Sequence, residues 1–462
     1  MLTSFNVRDF GAAGDGTTLD TAAIQAAINA AHDNGGGTVL IPAGATYLSG
    51  SLVLQSFVEL HVERGATLAA SGDFQDYTER FVVGALSAGV VTDASQAAGM
   101  FLTARNATNI AITGAGVIDG GGRHYILEDL GSIYRCPNER PFTVFLIGCT
   151  NVTLTDSTYR DGALWTIRLT GCSDATIHSV HIDGDLKMPN CDGIDLDRCQ
   201  NVRISDCNIS CGDDAISLKT CEEFPEFGNC ENITVTNCTI VTTSSALVVG
   251  VDAVAPIRNV VFDNCVIRRS HRGLSVNLGQ QGDFDNILFS NMIVETRIFS
   301  DRWWGRGEPI YVSAVPWHDV VGRIRNVRFV NILARSENSA YISGDRPGLI
   351  DGVLLDNVRI EVDKWSSQLG GYYDRRPTSD KEEIYQHPTA GFHIDTAANV
   401  VLRHCEVVWG ENIQDYFGSA IDAVAAPGLI VEGFRGDAAH PDTQPRFSGT
   451  TLVPVAAASV MA

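Results

Sequence analysis

Asn201-Val-Arg-Ile-Ser-Asp-Cys-Asn-Ile and Asn232-Ile-Thr-Val-Thr-Asn-Cys-Thr-Ile are one phrase written twice. After the asparagine, apolar and polar residues alternate over a short run, which reads as a β-strand, and a second short strand follows at the cysteine. The opening recurs at Asn109-Ile-Ala-Ile, Asn151-Val-Thr-Leu, Asn259-Val-Val-Phe, Asn286-Ile-Leu-Phe, Asn326-Val-Arg-Phe and Asn399-Val-Val-Leu. Ala175-Thr-Ile and Gly352-Val-Leu-Leu fill two gaps, and several spacings are about 24 to 31 residues. Two or three short strands per repeat with almost no helix describe a parallel β-helix. A leucine-rich repeat would need its Leu-x-x-Leu-x-Leu frame, and propeller blades would be longer and antiparallel.

The rest of the chain fits around this solenoid. Cys149, Cys172, Cys199 and Cys230 precede the first strand at similar offsets, and Cys207, Cys238 and Cys265 share a place in the second. Equivalent positions on stacked coils lie about 4.8 Å apart, so thiol and asparagine ladders are expected. Cys221 and Cys230 bracket a loop and would pair only in an oxidising compartment. Near the N-terminus, Asp20 is placed to cap a helix from Thr21 to about His32, stopped by Gly35 to Gly37. Ala22, Ile24, Ala26, Ala27 and Ile28 would form its apolar face. Such a helix covers the exposed end of a solenoid. The expectation is an all-β chain, one parallel β-helix domain over 1–462. Residues 1–50 supply the N-terminal strand and capping helix, and about 437–462 form an irregular tail.

Composition narrows the function. A net charge of −22 argues against nucleic acid and anionic membranes, which need clustered cations. No apolar run is long enough to span a bilayer. The first residues lack a basic region followed by an apolar one, which favours the cytoplasm. Twelve cysteines without a CxxC pair or a completing His cluster give no zinc site, so no metal and no cofactor are expected. Nothing in the sequence fixes an oligomeric state.

Laying the repeats over one another through one strand aligns Asp192-Gly-Ile-Asp-Leu with Asp214-Ala-Ile-Ser-Leu. Trp165 comes one coil earlier, and Ser245, Arg272 and Glu308 follow in the same register. Asp213 stands one residue before its column. A single aspartate here would read as a turn residue. Three in register are different, because stacked like charges destabilise a sheet and push a carboxyl pKa upward. Such a set suits a cation or acid–base work. Glycoside hydrolysis needs one protonated carboxyl for the leaving oxygen and one ionised carboxyl to activate water.

Asn190-Cys-Asp-Gly-Ile-Asp and Cys211-Gly-Asp-Asp-Ala-Ile-Ser-Leu-Lys resemble the first two signature motifs of the polygalacturonase family, glycoside hydrolase family 28. That family writes them Asn-Thr-Asp and Gly/Gln-Asp-Asp. The opening from Val7 to Gly16 and Gly116-Val-Ile-Asp-Gly-Gly-Gly are similar too, and the resemblance covers roughly residues 4 to 360. It implies the right-handed, pectin-lyase-like solenoid and hydrolysis with inversion. Asp213 would be the general acid, Asp192 and Asp214 would hold and activate the water, and Asn190 would line the site. Two motifs depart. Gly-His-Gly is Ser244-Ser245-Ala246 here, and Arg-Ile-Lys, which grips a galacturonate carboxylate, is Ser275-Val276-Asn277. These changes point away from ordinary endo-polygalacturonase action, towards pectin-related oligosaccharides or a terminal uronic acid or rhamnose-type glycoside.

Lys219 and Arg272 are candidates for substitute cations, although Arg272 also reads as the partner of Glu308 or Asp214 in an ion pair. In Asp301-Arg-Trp-Trp-Gly-Arg-Gly-Glu-Pro-Ile, the residues Trp303 and Trp304 are suited to stacking on a sugar, with Glu308 beside them. The competing reading is a loop packed on the solenoid. Three other functions share the fold: a calcium-dependent lyase, a fructan-processing transferase and a non-catalytic glycan-binding module.

Overall fold

The computed structural model describes residues 3–82, 97–379 and 381–450. The chain divides into two compact units, Met1–Ser244 and Ser245–Ala462. The fold is a right-handed parallel β-helix, the hand that parallel crossovers take. Among the described residues there is one α-helix, Thr21–Asp33. No helix among the described residues is long and apolar enough to cross a membrane.

The recurring phrase explains the stacking in the first unit. Ile110 lies beside Val152, Leu154 beside Ile177, Ile177 beside Ile204 and Ile204 beside Val235. Each apolar position of the phrase therefore meets its equivalent on the next coil. The phrase asparagines take a left-handed backbone, with φ of 55° at Asn151, 56° at Asn201 and 61° at Asn232. Asn accepts this conformation more readily than other side chains. Its amide then bonds along the stack: Asn232 Nδ2 donates to Asn201 Oδ1 at 3.2 Å, and Asn151 donates to Asn109. The thiols of Cys172, Cys199 and Cys230 lie 3.5, 3.2 and 3.6 Å from the carbonyls of Leu146, Leu169 and Leu196. All twelve cysteines are buried thiols outside any disulfide, Cys221 and Cys230 included.

A further stack in this unit includes the strands that follow the candidate aspartates in the chain. It contains Pro141–Ile147, Ile167–Thr170, Ile194–Asp197 and Ile216–Thr220, all of whose residues are buried. Its neighbours instead alternate buried and exposed positions, as Gln200–Ser205 does. The strands of this stack are thus covered on both faces, and their polar side chains must find partners inside.

The helix packs through Ile24, Ala27, Ile28 and Ala31, each fully buried. Burying each isoleucine is worth about 1.5–3 kcal/mol. Ala22 and Ala26, expected on this face, are exposed, because a turn of about 100° per residue carries them round it. Asp20 precedes the helix but makes no capping bond. Its carboxylate accepts instead from the amides of Ala13 and Gly14, at 2.7 and 3.0 Å, and so closes the glycine-rich turn.

In the second unit the strands lengthen. Phe284–Thr296, Ile324–Ser336 and Ile350–Val362 each run on through a left-handed asparagine, Asn291, Asn331 and Asn357. Phe262, Phe289 and Phe329 stack between coils, with ring centroids 4.7 and 5.0 Å apart. The other stack runs Ser245–Ala253, Arg272–Leu278, Ile310–Ala314, Ala340–Gly344, Phe392–Asp395 and Ile421–Val424. An antiparallel hairpin, Tyr372–Asp374 with Ile384–Gln386, leaves the coils between two of these strands. The tail expected to be irregular from about residue 437 contains one more strand, Arg446–Ser448, paired with Ile421–Val424. Residues 451–462 of that tail lie outside the described residues.

Candidate active site

Ile167 lies beside Ile194, and Ile194 beside Ile216. This register puts Trp165, Asp192 and Asp214 at one position on three successive coils, as expected. The coils approach so closely here that a Cβ on Gly193 would lie 2.3 Å from the Ala215 carbonyl oxygen. A Cβ on Gly212 would lie 2.3 Å from that of Met188. Glycine beside each aspartate motif is therefore a steric requirement. One carboxylate oxygen from each of Asp192, Asp213 and Asp214 lies within 4.8 Å of the others.

The three carboxylates have different surroundings. Asp192 is 4% exposed, and its Oδ1 has no hydrogen-bond partner among the described residues. Asp213 accepts from the amides of Asn190, at 3.1 Å, and Asp214, at 3.0 Å. Asp214 accepts from Ser244 Oγ at 2.8 Å. Burial, followed by the charges of Asp195 and Asp213, holds the Asp192 carboxyl well above the usual carboxylate range. Burial and then the neighbouring Asp214 push Asp213 up to about 7. A protonated and an ionised carboxyl can therefore share this site near neutral pH.

Buried charges flank the cluster. Arg168 pairs with Asp197 at 2.9 Å, and Lys219 Nζ lies 3.8 Å from Asp195 Oδ1. Both cations also approach the Trp165 ring, at 4.7 and 5.1 Å. Lys219 is thus 4% exposed and sits among side chains of its own unit. Asp195 is raised to about 8 by burial, against the pull of Lys219 and Arg168.

The remaining candidates belong to the second unit. Ser245 is buried and lies beside Arg272, whose strand in turn places it beside Glu308. Arg272 Nε is 3.6 Å from Glu308 Oε2, and an Arg272 terminal nitrogen is 3.8 Å from Asp374 Oδ1 and donates to the Asp374 carbonyl at 3.0 Å. Its guanidinium lies 3.7 Å from the Tyr311 ring centre. At 1% exposure, Arg272 has the surroundings of the ion-pair reading, with Glu308 as the foreseen partner and Asp374 as a second. Trp303 is buried, and its carbonyl accepts from Arg376 at 2.7 Å. Trp304 is half-buried and meets Trp317 edge-on at 6.1 Å.

Residues 36–371 match glycosyl hydrolases family 28. The chain belongs to that family. It is 33% identical over 225 residues to a probable polygalacturonase of Vitis vinifera, covering 47% of this chain and 44% of that one. It is 27% identical over 258 residues to an exo-poly-alpha-D-galacturonosidase of Dickeya chrysanthemi, covering 46% and 41%. The chain thus spans under half the length of these curated relatives. The family 28 exopolygalacturonase structure from Yersinia enterocolitica superposes with a TM-score of 0.60 at 20% identity, over 97% of this chain and 78% of that one.

Two residues beside the candidate aspartates escaped the sequence reading. Arg140 is fully buried and donates to the carbonyls of Ala163, at 2.7 Å, and Pro189, at 2.6 Å, and to Asn190 Oδ1, at 3.1 Å. It thereby fixes the residue whose amide reaches Asp213. No spacing signals it, because 50 residues separate Arg140 from Asn190. Asp195 was visible, three residues after Asp192 in the same motif, and its strand position beside Arg168 follows from the repeat register.

Proposed function

We propose that this family 28 chain is an inverting glycoside hydrolase that removes terminal sugars from pectin-derived oligosaccharides. The observation that carries the proposal is the trio Asp192, Asp213 and Asp214, with carboxylate oxygens within 4.8 Å. Asp213, its carboxyl raised towards neutrality, would donate its proton to the glycosidic oxygen as that bond breaks. Asp192 and Asp214 would orient a water, whose proton passes to whichever of the two is ionised as its oxygen attacks the anomeric carbon. The carboxylate spacing is shorter than the separation usual for inverting pairs, so inversion rests on the family resemblance. Terminal action is supported by the likeness to an exo-acting galacturonosidase and by Ser275 and Asn277 at the positions of the cations that grip galacturonate.

Product analysis on oligomers of galacturonate and rhamnogalacturonan, with NMR of the first anomer formed, tests this reading. Release of a single terminal sugar with inverted configuration is the expected result. Rapid viscosity loss on polygalacturonan would mean internal attack, and a retained anomer would make one aspartate a nucleophile. An oxygen-only trio also suits a hard cation, so the lyase alternative remains testable: turnover that requires Ca²⁺ and yields an unsaturated product would replace hydrolysis. Family membership does not favour that alternative, the fructan transferase or the binding module.

A further inference from the structure

The second unit contains another cluster of ligating side chains, which the reaction does not use. His387 follows the antiparallel hairpin, His393 lies on Phe392–Asp395, and Asp422 lies beside His393 on the next coil. One nitrogen of each imidazole and one Asp422 oxygen lie within 4.8 Å of one another. His387 Nε2 is 3.3 Å and His393 Nδ1 3.1 Å from the same atom, Asp422 Oδ2. The other oxygen, Oδ1, faces Arg446 Nε at 3.5 Å. His387 Nδ1 is 2.7 Å from the Pro388 carbonyl, which holds a proton on that nitrogen and leaves Nε2 its lone pair. His393 is 3% exposed, and its Nε2 is buried without a hydrogen-bond partner among the described residues. Tyr373 and Tyr341 stack on the two rings at 5.1 and 5.4 Å and limit their rotation.

We propose that His387, His393 and Asp422 bind a divalent transition-metal ion, with Zn²⁺ the best match. Two imidazoles and one carboxylate are a borderline-soft set that such ions prefer to Ca²⁺ or Mg²⁺. The two ring nitrogens already converge on one oxygen, so binding needs a small parting of the three groups. Any proton bridging a ring nitrogen to Asp422 leaves to solvent as the ion enters. Arg446 remains on Oδ1 as an outer partner and orients the carboxylate. Three protein ligands leave a fourth position for water. The ion would staple the end of the hairpin, through His387, to two neighbouring coils.

The test uses the full chain, stripped with a chelator and titrated with Zn²⁺ by calorimetry at neutral pH. One Zn²⁺ per chain is expected, with affinity falling at least about 100-fold in His387→Gln and His393→Ala and unchanged in Asp213→Asn. His387 is half-buried, so His387→Gln decides the matter if the His393 variant fails to fold. Co²⁺ should give the weak visible bands of a nitrogen–oxygen set. Absence of binding at about 100 μM Zn²⁺ would overturn the proposal. Binding that survives both histidine changes, that is lost with Asp213, or that gives the intense absorption of cobalt thiolate would overturn it too.

Discussion

The coils around Asp192 and Asp214 and those around Arg272 and Glu308 use the same strand position in opposite ways. In the first unit that position and the residue before it bring three carboxyl groups together, and those of Asp192 and Asp213 are raised. In the second it sets a cation against carboxylates, with Arg272 between Glu308 and Asp374. Burial raises the Asp374 carboxyl, but Arg272 and Arg376 outweigh it and hold it below the usual range. One solenoid register can therefore carry a cluster of carboxyl groups on one run of coils and an ion-paired cluster on another. Alignment alone does not say which is which; the sign of the neighbouring charge does.

The change expected to separate the two runs most is Asp213→Asn. Turnover on an unactivated glycoside should fall by about 10²–10⁴-fold or more, while circular dichroism shows the fold retained. Its carboxyl is raised on folding, so the native state holds a proton that the unfolded chain releases above about pH 4. Ionised Asp213 therefore costs stability as pH rises towards about 7, and the Asn variant should gain Tm relative to wild type at pH 8 but not at pH 4. A variant retaining a tenth of wild-type turnover would remove Asp213 from the acid's role.

Arg272→Ala should do the reverse. Leaving Glu308 in the interior without its cation costs about 3–5 kcal/mol, while Asp374 keeps Arg376 at 2.7 Å; the loss is readable in urea unfolding, with KM for acidic and neutral sugars moving together. A selective rise in KM for the acidic sugar at unchanged stability would return Arg272 to the substrate and dissolve the contrast. A milder test is pH. With Asp213 as acid, kcat/KM should fall as pH rises through about 7; a profile flat to pH 9 would count against a proton on this carboxyl. The smallest effect should come from a ladder residue outside both runs. Asn286→Ala removes a 3.2 Å bond to Asn259 and should cost about 1 kcal/mol, leaving turnover intact.

Period and register made the fold and the aspartate alignment legible, because both depend on which residues recur. What sequence could not show is what covers the outer face of a strand. Lys219 and Arg272 read as cations on offer, yet each lies among buried partners. Asp374, which supplies the second carboxylate for Arg272, comes from a hairpin about 100 residues further along the chain, outside any repeat. Asp20 looked like a helix cap because it stands at the right position; the turn before it had the stronger claim, with two free amides at bonding distance. His387, His393 and Asp422 share no motif, and only the pairing of successive coils brings His393 to Asp422.

The asparagine ladders bear on how this protein ages. Asparagine side chains hydrolyse through attack by the next backbone nitrogen, a step that is fast before glycine and slow before β-branched residues. Every phrase asparagine here is followed by isoleucine or valine, from Asn109-Ile to Asn399-Val. Many of their amides are also tied to a neighbouring coil, as Asn286 is to Asn259 and Asn232 to Asn201. A deamidated rung would place a carboxylate against the acceptor it once donated to. The residue pattern that builds the ladder also delays the reaction most able to corrode it, and peptide mapping after prolonged storage should find these sites among the last to convert.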